Sequence, residues 1–194
     1  YLVSIATGGG RTDAAGAIVG ADFSAFYWAG TALREGDTHA LYDIEAEAEF
    51  LATLIAPATN DEGEVHAFVS PPYWGLCFAP LAALPYRAAL AAFWTLCAAL
   101  LVANVVVLRR TLPALRAESL GRAVLAALLF FPVLFSFLGG QTSLIVLLPL
   151  VLAFAALRRE RDFVAGLALG LLAVKPQLAL GMVVALLILG GGKW

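Results

Sequence analysis

The chain has 194 residues, of which 62% are hydrophobic and 13% are charged, whereas an average soluble domain is about half apolar and a quarter charged. A water-soluble globule of this size cannot bury so much apolar surface, so the composition excludes the ordinary soluble classes and predicts a membrane protein. The net charge of −2 is unevenly distributed, because residues 6–71 hold 11 of the 14 acidic residues and only 2 of the 12 basic ones. This separation argues against a nucleic-acid partner and for loops on two sides of a lipid bilayer.

The first 85 residues carry most of the acidic side chains. Residues 1–6 are apolar but too few to cross a bilayer, so we interpret them as the tail of a truncated first transmembrane helix and the chain as a fragment. Residues 7–85 are predicted to form an extracytoplasmic acidic loop with amphipathic and juxtamembrane helices. Anionic lipid head groups would repel this loop, which indicates a solvated cap.

Two amphipathic helices are expected in the acidic loop. Asp22 is placed to cap the N-terminus of a helix that runs to about Arg34 and stops at Gly36. Its aromatic residues recur at helical spacing, which suits a membrane interface. Gly30 lies in the same stretch and weakens the prediction, because a mid-helix glycine costs about 1 kcal/mol relative to alanine. The second helix is expected from Asp43 to Ile55.

Residues 67–86 are uncharged and long enough to span a membrane, which leaves two interpretations of the topology. Four prolines interrupt this stretch, and a span here would place every later basic cluster outside the cell. We therefore predict a juxtamembrane or re-entrant segment.

Residues 86–194 are predicted to form the membrane part of an all-α, polytopic integral membrane helical bundle that is incomplete at its C-terminus. About five helices are expected, at 86–108, 121–138, 143–157, 163–174 and 177–192. Arginine clusters follow the first and third of these helices and are cytoplasmic under the positive-inside rule. Helix parity then places the acidic loop, the 139–143 turn and the 175–177 turn together on the opposite, extracytoplasmic face.

Several polar residues on that face are candidates for chemistry. Asp22 stands where the chain leaves the membrane, and its alternative role is that of a helix cap only. Lys175 separates two apolar runs, where a lysine costs about 2.5 to 3.5 kcal/mol, so it needs a polar cavity or an anionic partner unless it reaches the interface. Gln141 and Gln177 can donate to a ligand or to the backbone of their own turns. Arg87 either neutralises the acidic loop or meets a phosphate.

The sequence offers little support for a metal or a cofactor. His39 with Asp37 and Asp43, or His66 with Glu64, provides too few ligands without a fixed spacing. The phosphate-binding, dinucleotide, zinc-protease and serine-nucleophile motifs are missing from the sequence. We therefore predict neither a metal nor a cofactor.

An ordered series of short motifs runs through nearly the whole chain. They are Asp22-Phe23, Phe26-Tyr27, Leu41-Tyr42-Asp43, Pro71-Pro72, Leu84-Pro85-Tyr86, Leu108-Arg109-Arg110, Gly140-Gln141, Leu157-Arg158-Arg159 and Val174-Lys175-Pro176-Gln177. With these motifs the chain resembles glycosyltransferase family 87, a bacterial integral membrane family also catalogued as domain of unknown function 2029.

The resemblance implies a glycosyltransferase C superfamily architecture with an extracytoplasmic active site in the bacterial plasma membrane. Such enzymes take a sugar, often mannose or arabinose, from a polyprenyl phosphate and pass it to a lipid or glycan acceptor. They use an acidic residue early in the first large loop, and Asp22 is the matching position. The expected substrate-binding residues are Tyr27, Gln141 and Gln177.

The expected chemistry follows from the leaving group. A lipid phosphate is weakly basic, so one general base for the acceptor hydroxyl suffices, and Asp22 would supply it. Lys175 and Arg87 would stabilise the charge that develops on the departing phosphate, without a metal. A single carboxylate acting on the acceptor predicts inversion. A transporter or flippase of a lipid-linked anion is the alternative, and a structural membrane subunit is a third hypothesis.

Overall fold

The computed structural model describes residue 14, residues 19–55 and residues 67–190. The chain divides into two compact units, Tyr1–Thr95 with Phe137–Gln141, and Leu96–Ser136 with Thr142–Trp194. Every regular secondary-structure element among the described residues is an α-helix or a 3-10 turn. The expected helix tail at residues 1–6 and the His66–Glu64 pair lie outside the described residues.

The described part of the first unit contains three helices, the beginning of a fourth and the end of a later one. Helix α1 is Ala21–Glu35, α2 is Ile44–Ile55, α3 is Pro72–Ala82, and α4 is Tyr86–Thr111, with a short 3-10 turn at Ala40–Tyr42 between α1 and α2. Pro72 occupies the first turn of α3. Backbone N–H groups in a first turn make no hydrogen bond within the helix, so a proline there costs none.

The N-terminus of α1 corrects one prediction. Its N-cap is Gly20, which adopts a positive φ of 75°, and Asp22 lies in the first turn without a side-chain capping hydrogen bond. Glycine reaches this left-handed conformation without the steric penalty that other residues have. The Asp22 carboxylate is therefore not used as the helix cap. Gly36 ends the helix as expected, with φ at 81°.

Helices α1 and α3 pack against each other through glycines. A Cβ atom on Gly30 would lie 2.8 Å from the carbonyl carbon of Phe78, and one on Gly75 would lie 2.8 Å from Cδ1 of Leu33. Gly30, whose helix propensity is low, thus permits close approach of the two backbones.

The aromatic residues of α1, whose spacing suits a membrane interface, form a core within the first unit. Phe23 is fully buried, and its ring centroid lies 5.0 Å from that of Phe93 and 5.7 Å from that of Tyr86. Phe26 stacks on Phe78 with a centroid distance of 4.7 Å. Each of these rings packs against an aromatic residue of a neighbouring helix in the same unit, and those helices cover it.

Glu47 in α2 is a buried carboxylate, with only 2% of its surface exposed. Its Oε2 accepts a hydrogen bond from the backbone N–H of Phe68 at 3.1 Å, while Oε1 has no partner among the described residues. Burial raises the pKa of Glu47 above its ordinary value of 4.5, and the hydrogen bond from Phe68 opposes this. The folded unit therefore holds this proton more tightly than the unfolded chain does.

Glu47→Gln is expected to raise the apparent unfolding temperature at pH 7.5. In the wild type, the free energy of unfolding falls as pH rises from 4.5 through the raised pKa, because the charged form is penalised only when folded. Glutamine keeps an acceptor for Phe68 without that charge. Thermal unfolding between pH 4.5 and 7.5 should show the advantage of Glu47→Gln shrinking at acid pH. Glu49→Gln, an exposed change on the same helix, is the control, and an equal gain there would contradict this account.

The second unit contains the rest of α4 and most of the later helices. These are α5 Pro113–Arg116, α6 Leu120–Leu129, α7 Phe131–Gly139, α8 Ser143–Leu157, α9 Asp162–Gly170, a 3-10 turn at Leu171–Val174, and α10 Pro176–Gly190. Asn104 is buried in α4, and its Nδ2 donates to the carbonyl oxygens of Leu100 at 2.9 Å and Leu144 at 3.2 Å. This side chain joins α4 to the first turn of α8.

Two predicted helices have different ends in the structure. The helix expected over 121–138 is broken into α6 and α7, which meet at 76°. Pro132 explains the break, because it has no N–H group to donate to the carbonyl of residue 128 in a continuous helix. The segment expected over 163–174 changes from α-helix to 3-10 helix at Leu171, ahead of Pro176.

Helix α4, with 26 residues, is the one described helix that is long and apolar enough by itself to cross a membrane. The pair α6 and α7 passes the same test only if it forms one broken span, and the other apolar helices are shorter. The regular structure of the described ranges is thus all-helical, with one clear candidate span among them.

Candidate functional site

Asp22 and the turn at residues 139–141 come together within the first unit. A Cβ atom added to Gly139 would lie 3.1 Å from Oδ2 of Asp22. A Cβ atom on Gly140, whose φ is 74°, would lie 2.6 Å from Cβ of Phe23. The turn therefore lies directly against the first turn of α1, and two motifs that are far apart in the sequence are neighbours.

Two tyrosines hold the beginning of α1 in place. The Tyr86 hydroxyl donates to the carbonyl oxygens of Val19 and Gly20, at 2.9 and 3.2 Å. The Tyr27 hydroxyl donates to the carbonyl oxygen of Leu84 at 2.8 Å. Their rings meet edge to face with a centroid distance of 5.3 Å. Asp22 is thus carried on a helix end that is anchored to the α3–α4 junction.

The Asp22 carboxylate is half-buried and chemically available. Within the described residues, no hydrogen bond or ion pair occupies its oxygens. Its place in the first turn of α1 puts it near backbone N–H groups, which favour negative charge. A carboxylate so placed can accept a proton from a substrate hydroxyl.

Three other predicted site residues belong to the same unit. Tyr27 is buried and its hydroxyl is already bonded to Leu84; burial raises its pKa, and the charge of Arg34 opposes this. Arg87 is exposed at the beginning of α4, directly after Tyr86. Gln141 is half-buried and follows Gly140.

Lys175 and Gln177 belong to the second unit. Lys175 is half-buried and ends the 3-10 turn, with its backbone N–H donating to the carbonyl oxygen of Leu172 at 2.8 Å. Gln177 is exposed in the first turn of α10. Lys175 thus lies at a break between two apolar helices, as its neighbour Pro176 predicts.

Sequence reasoning missed the residues that position Asp22. Tyr86 and Gly140 occur in the family-like motifs, but their contacts with the beginning of α1 connect distant parts of the chain. Glu47 was also missed, although it is three residues before Phe50 and four before Leu51. That spacing places it on the apolar face of α2.

If Asp22 takes part in catalysis, Gly139→Ala should lower the catalytic turnover about tenfold while leaving the fold intact. Its methyl group would lie 3.1 Å from Oδ2 of Asp22, so the carboxylate must move by a few tenths of an ångström, and a shift of about 1 Å can cost 100-fold in rate. Steady-state kinetics and thermal unfolding should be measured together. Gly121→Ala, where the added methyl meets nothing within 4 Å, is the matched control. Wild-type turnover in Gly139→Ala would show that this contact does not position the carboxylate.

Comparison with known proteins gives one family match. The model of glycosyltransferase family 87 matches residues 68–194, which is more than half of the chain. The matched range contains Arg87, Gln141, Lys175 and Gln177, whereas Asp22 and Tyr27 precede it. No curated protein and no solved structure matches the chain significantly.

Proposed function

Because the chain belongs to glycosyltransferase family 87, whose members are membrane-associated glycosyltransferases, we propose that it transfers mannose from a polyprenyl-phosphate sugar. The acceptor is a lipid or a glycan at the extracytoplasmic face of a bacterial plasma membrane. The observation that carries this proposal is the available Asp22 carboxylate beside the Gly139–Gln141 turn.

The proposed reaction is a single displacement at the anomeric carbon. The acceptor hydroxyl gives its proton to Asp22 as its oxygen forms the new bond to that carbon. The bond from the anomeric carbon to the lipid phosphate breaks, and the phosphate leaves with the electron pair. Since a phosphate is a weakly basic leaving group, a general acid is unnecessary. One displacement inverts the configuration.

The donor phosphate needs positive charge, which Lys175 and Arg87 are proposed to supply. Arg87 follows Tyr86, whose hydroxyl holds the beginning of the helix that carries Asp22. Lys175 lies in a break between apolar helices, where an anionic partner would offset the cost of its charge. Tyr27, Gln141 and Gln177 are proposed to contact the sugar or the acceptor.

The proposed orientation is supported by charge. Arg109 and Arg110 lie at the C-terminal end of α4, and Arg158, Arg159 and Arg161 lie around the α8–α9 connection. Such clusters are retained in the cytoplasm. The beginning of α4, with Arg87 and the acidic helices α1 and α2 before it, then faces outward.

Right-side-out vesicles that carry the protein should incorporate labelled mannose from a short-chain polyprenyl-phosphate mannose that cannot cross the membrane. GDP-mannose should not substitute, because the proposed donor is a lipid monophosphate. The readout is label in the lipid-bound and glycan-bound fractions. Inside-out vesicles, in which the proposed active face is enclosed, are the control for orientation.

Two results would contradict the proposal. Equal incorporation from GDP-mannose would reject the lipid-linked donor, and activity confined to inside-out vesicles would reject the extracytoplasmic face. Movement of the intact lipid-linked sugar across the membrane without sugar transfer would favour the flippase alternative.

A further inference from the structure

A groove of about 510 Å³ lies between α4, α8 and α9 in the second unit. Most of its wall is apolar, and three arginines line it. The apolar lining includes Val164 and Leu167 of α9 and Leu171 of the turn that follows it; the arginines are Arg110, Arg159 and Arg161.

The three arginines that line the groove all lie at or near helix ends. Arg110 is in the last turn of α4, Arg159 follows α8, and Arg161 is the N-cap of α9. All three are exposed, and in the described part of the chain none has an ion-pair partner within 4.0 Å. Glu160 and Asp162 flank Arg161 in sequence but do not line the groove. These three lining side chains therefore offer positive charge to an anion.

The wall formed by α9 and the turn after it is apolar, in contrast to the arginines. Val164, Leu167 and Leu171 are spaced three and four residues apart, so they form one stripe. Their surfaces are 48%, 59% and 64% exposed. A stripe of this kind calls for an apolar partner.

From this combination we infer that the groove binds an anionic membrane phospholipid, with the phosphate against the three arginines and an acyl chain along the α9 stripe. Guanidinium groups donate paired hydrogen bonds to phosphate oxygens. Basic pockets between membrane helices are a recognised place for anionic head groups. The residues involved are separate from those proposed for sugar transfer.

The test uses the purified protein in detergent, titrated with phosphatidylglycerol or with phosphatidylcholine of the same acyl chains. Native mass spectrometry counts bound lipids, and thermal unfolding follows their stabilising effect. Phosphatidylglycerol should bind at least tenfold more tightly than phosphatidylcholine. Changing any one of these arginines to glutamine should weaken the binding of phosphatidylglycerol about fivefold. The triple variant Arg110→Gln, Arg159→Gln, Arg161→Gln should weaken it about 100-fold.

Arg158→Gln is the matched control, because Arg158 is exposed next to Arg159 but does not line the groove. It should bind phosphatidylglycerol as the wild type does. Leu167→Gln should weaken the binding of both lipids, since it alters the apolar wall alone.

Four outcomes would overturn the inference. Equal binding of the two lipids would remove the role of the phosphate charge. An equal loss in Arg158→Gln would indicate general surface charge. Competition by glycerol phosphate at lipid concentrations would point to a soluble anion. A lipid-free dimer disrupted by Leu167→Gln would make a second copy of the chain the occupant of the groove.

Discussion

Asp22→Asn is expected to lower the turnover of sugar transfer by about 100-fold or more, the usual contribution of a general base. The half-buried carboxylate lies in the first turn of α1 without a capping bond, so loss of its proton affinity should affect the reaction more than the fold. Affinity for the donor should change little. Steady-state kinetics with polyprenyl-phosphate mannose and thermal unfolding of the same preparations measure the two effects.

A matched control exists at the next helix. Asp43 is also an aspartate at a helix N-terminus, and its Oδ1 accepts a hydrogen bond from the backbone N–H of Ala46 at 3.1 Å. Asp43→Asn should keep full activity. Asp22→Glu should recover little, because one extra methylene displaces the carboxylate from a hydroxyl that it must reach at about 2.6 to 3.2 Å. Transfer at the parental rate by Asp22→Asn would assign the residue a structural role only.

Lys175→Met is expected to lower kcat/KM for the polyprenyl-phosphate donor by about 100-fold, the scale for removing one donor from an anion-stabilising site. Methionine has a side chain of similar length to the aliphatic stem of lysine but carries no charge, so the variant should insert into the membrane normally. Lys175→Arg should retain much of the activity because it keeps the positive charge. The measurement is donor-dependent kinetics at saturating acceptor.

Arg122 supplies the control for a general charge effect. It is exposed in the first turn of α6 and pairs at 3.1 Å with Glu118, which precedes that helix, and an exposed ion pair of this kind contributes little to stability. Arg122→Met should therefore leave donor kinetics unchanged. Wild-type kinetics in Lys175→Met would show instead that Lys175 reaches the membrane interface and does not meet the donor.

Local features of the protein follow from its sequence alone. An uncharged run from Ala88 to Leu108 is long enough to span a bilayer, and the structure has one helix there, Tyr86–Thr111. Gly36 ends α1 because it adopts a positive φ. These features depend on residues close together in the chain. The family match likewise confirms the resemblance that the ordered motifs indicated.

The tertiary structure alone decided what covers each helix. The aromatic spacing of α1 specifies a face, but not whether lipid or protein covers it, and Phe78, Tyr86 and Phe93 cover Phe23. Periodicity likewise cannot show that Gly139 approaches the Asp22 carboxylate, or that Glu47 is buried against the backbone of Phe68. Contacts of this kind depend on which distant segments pack together, and helical period carries no information about that choice.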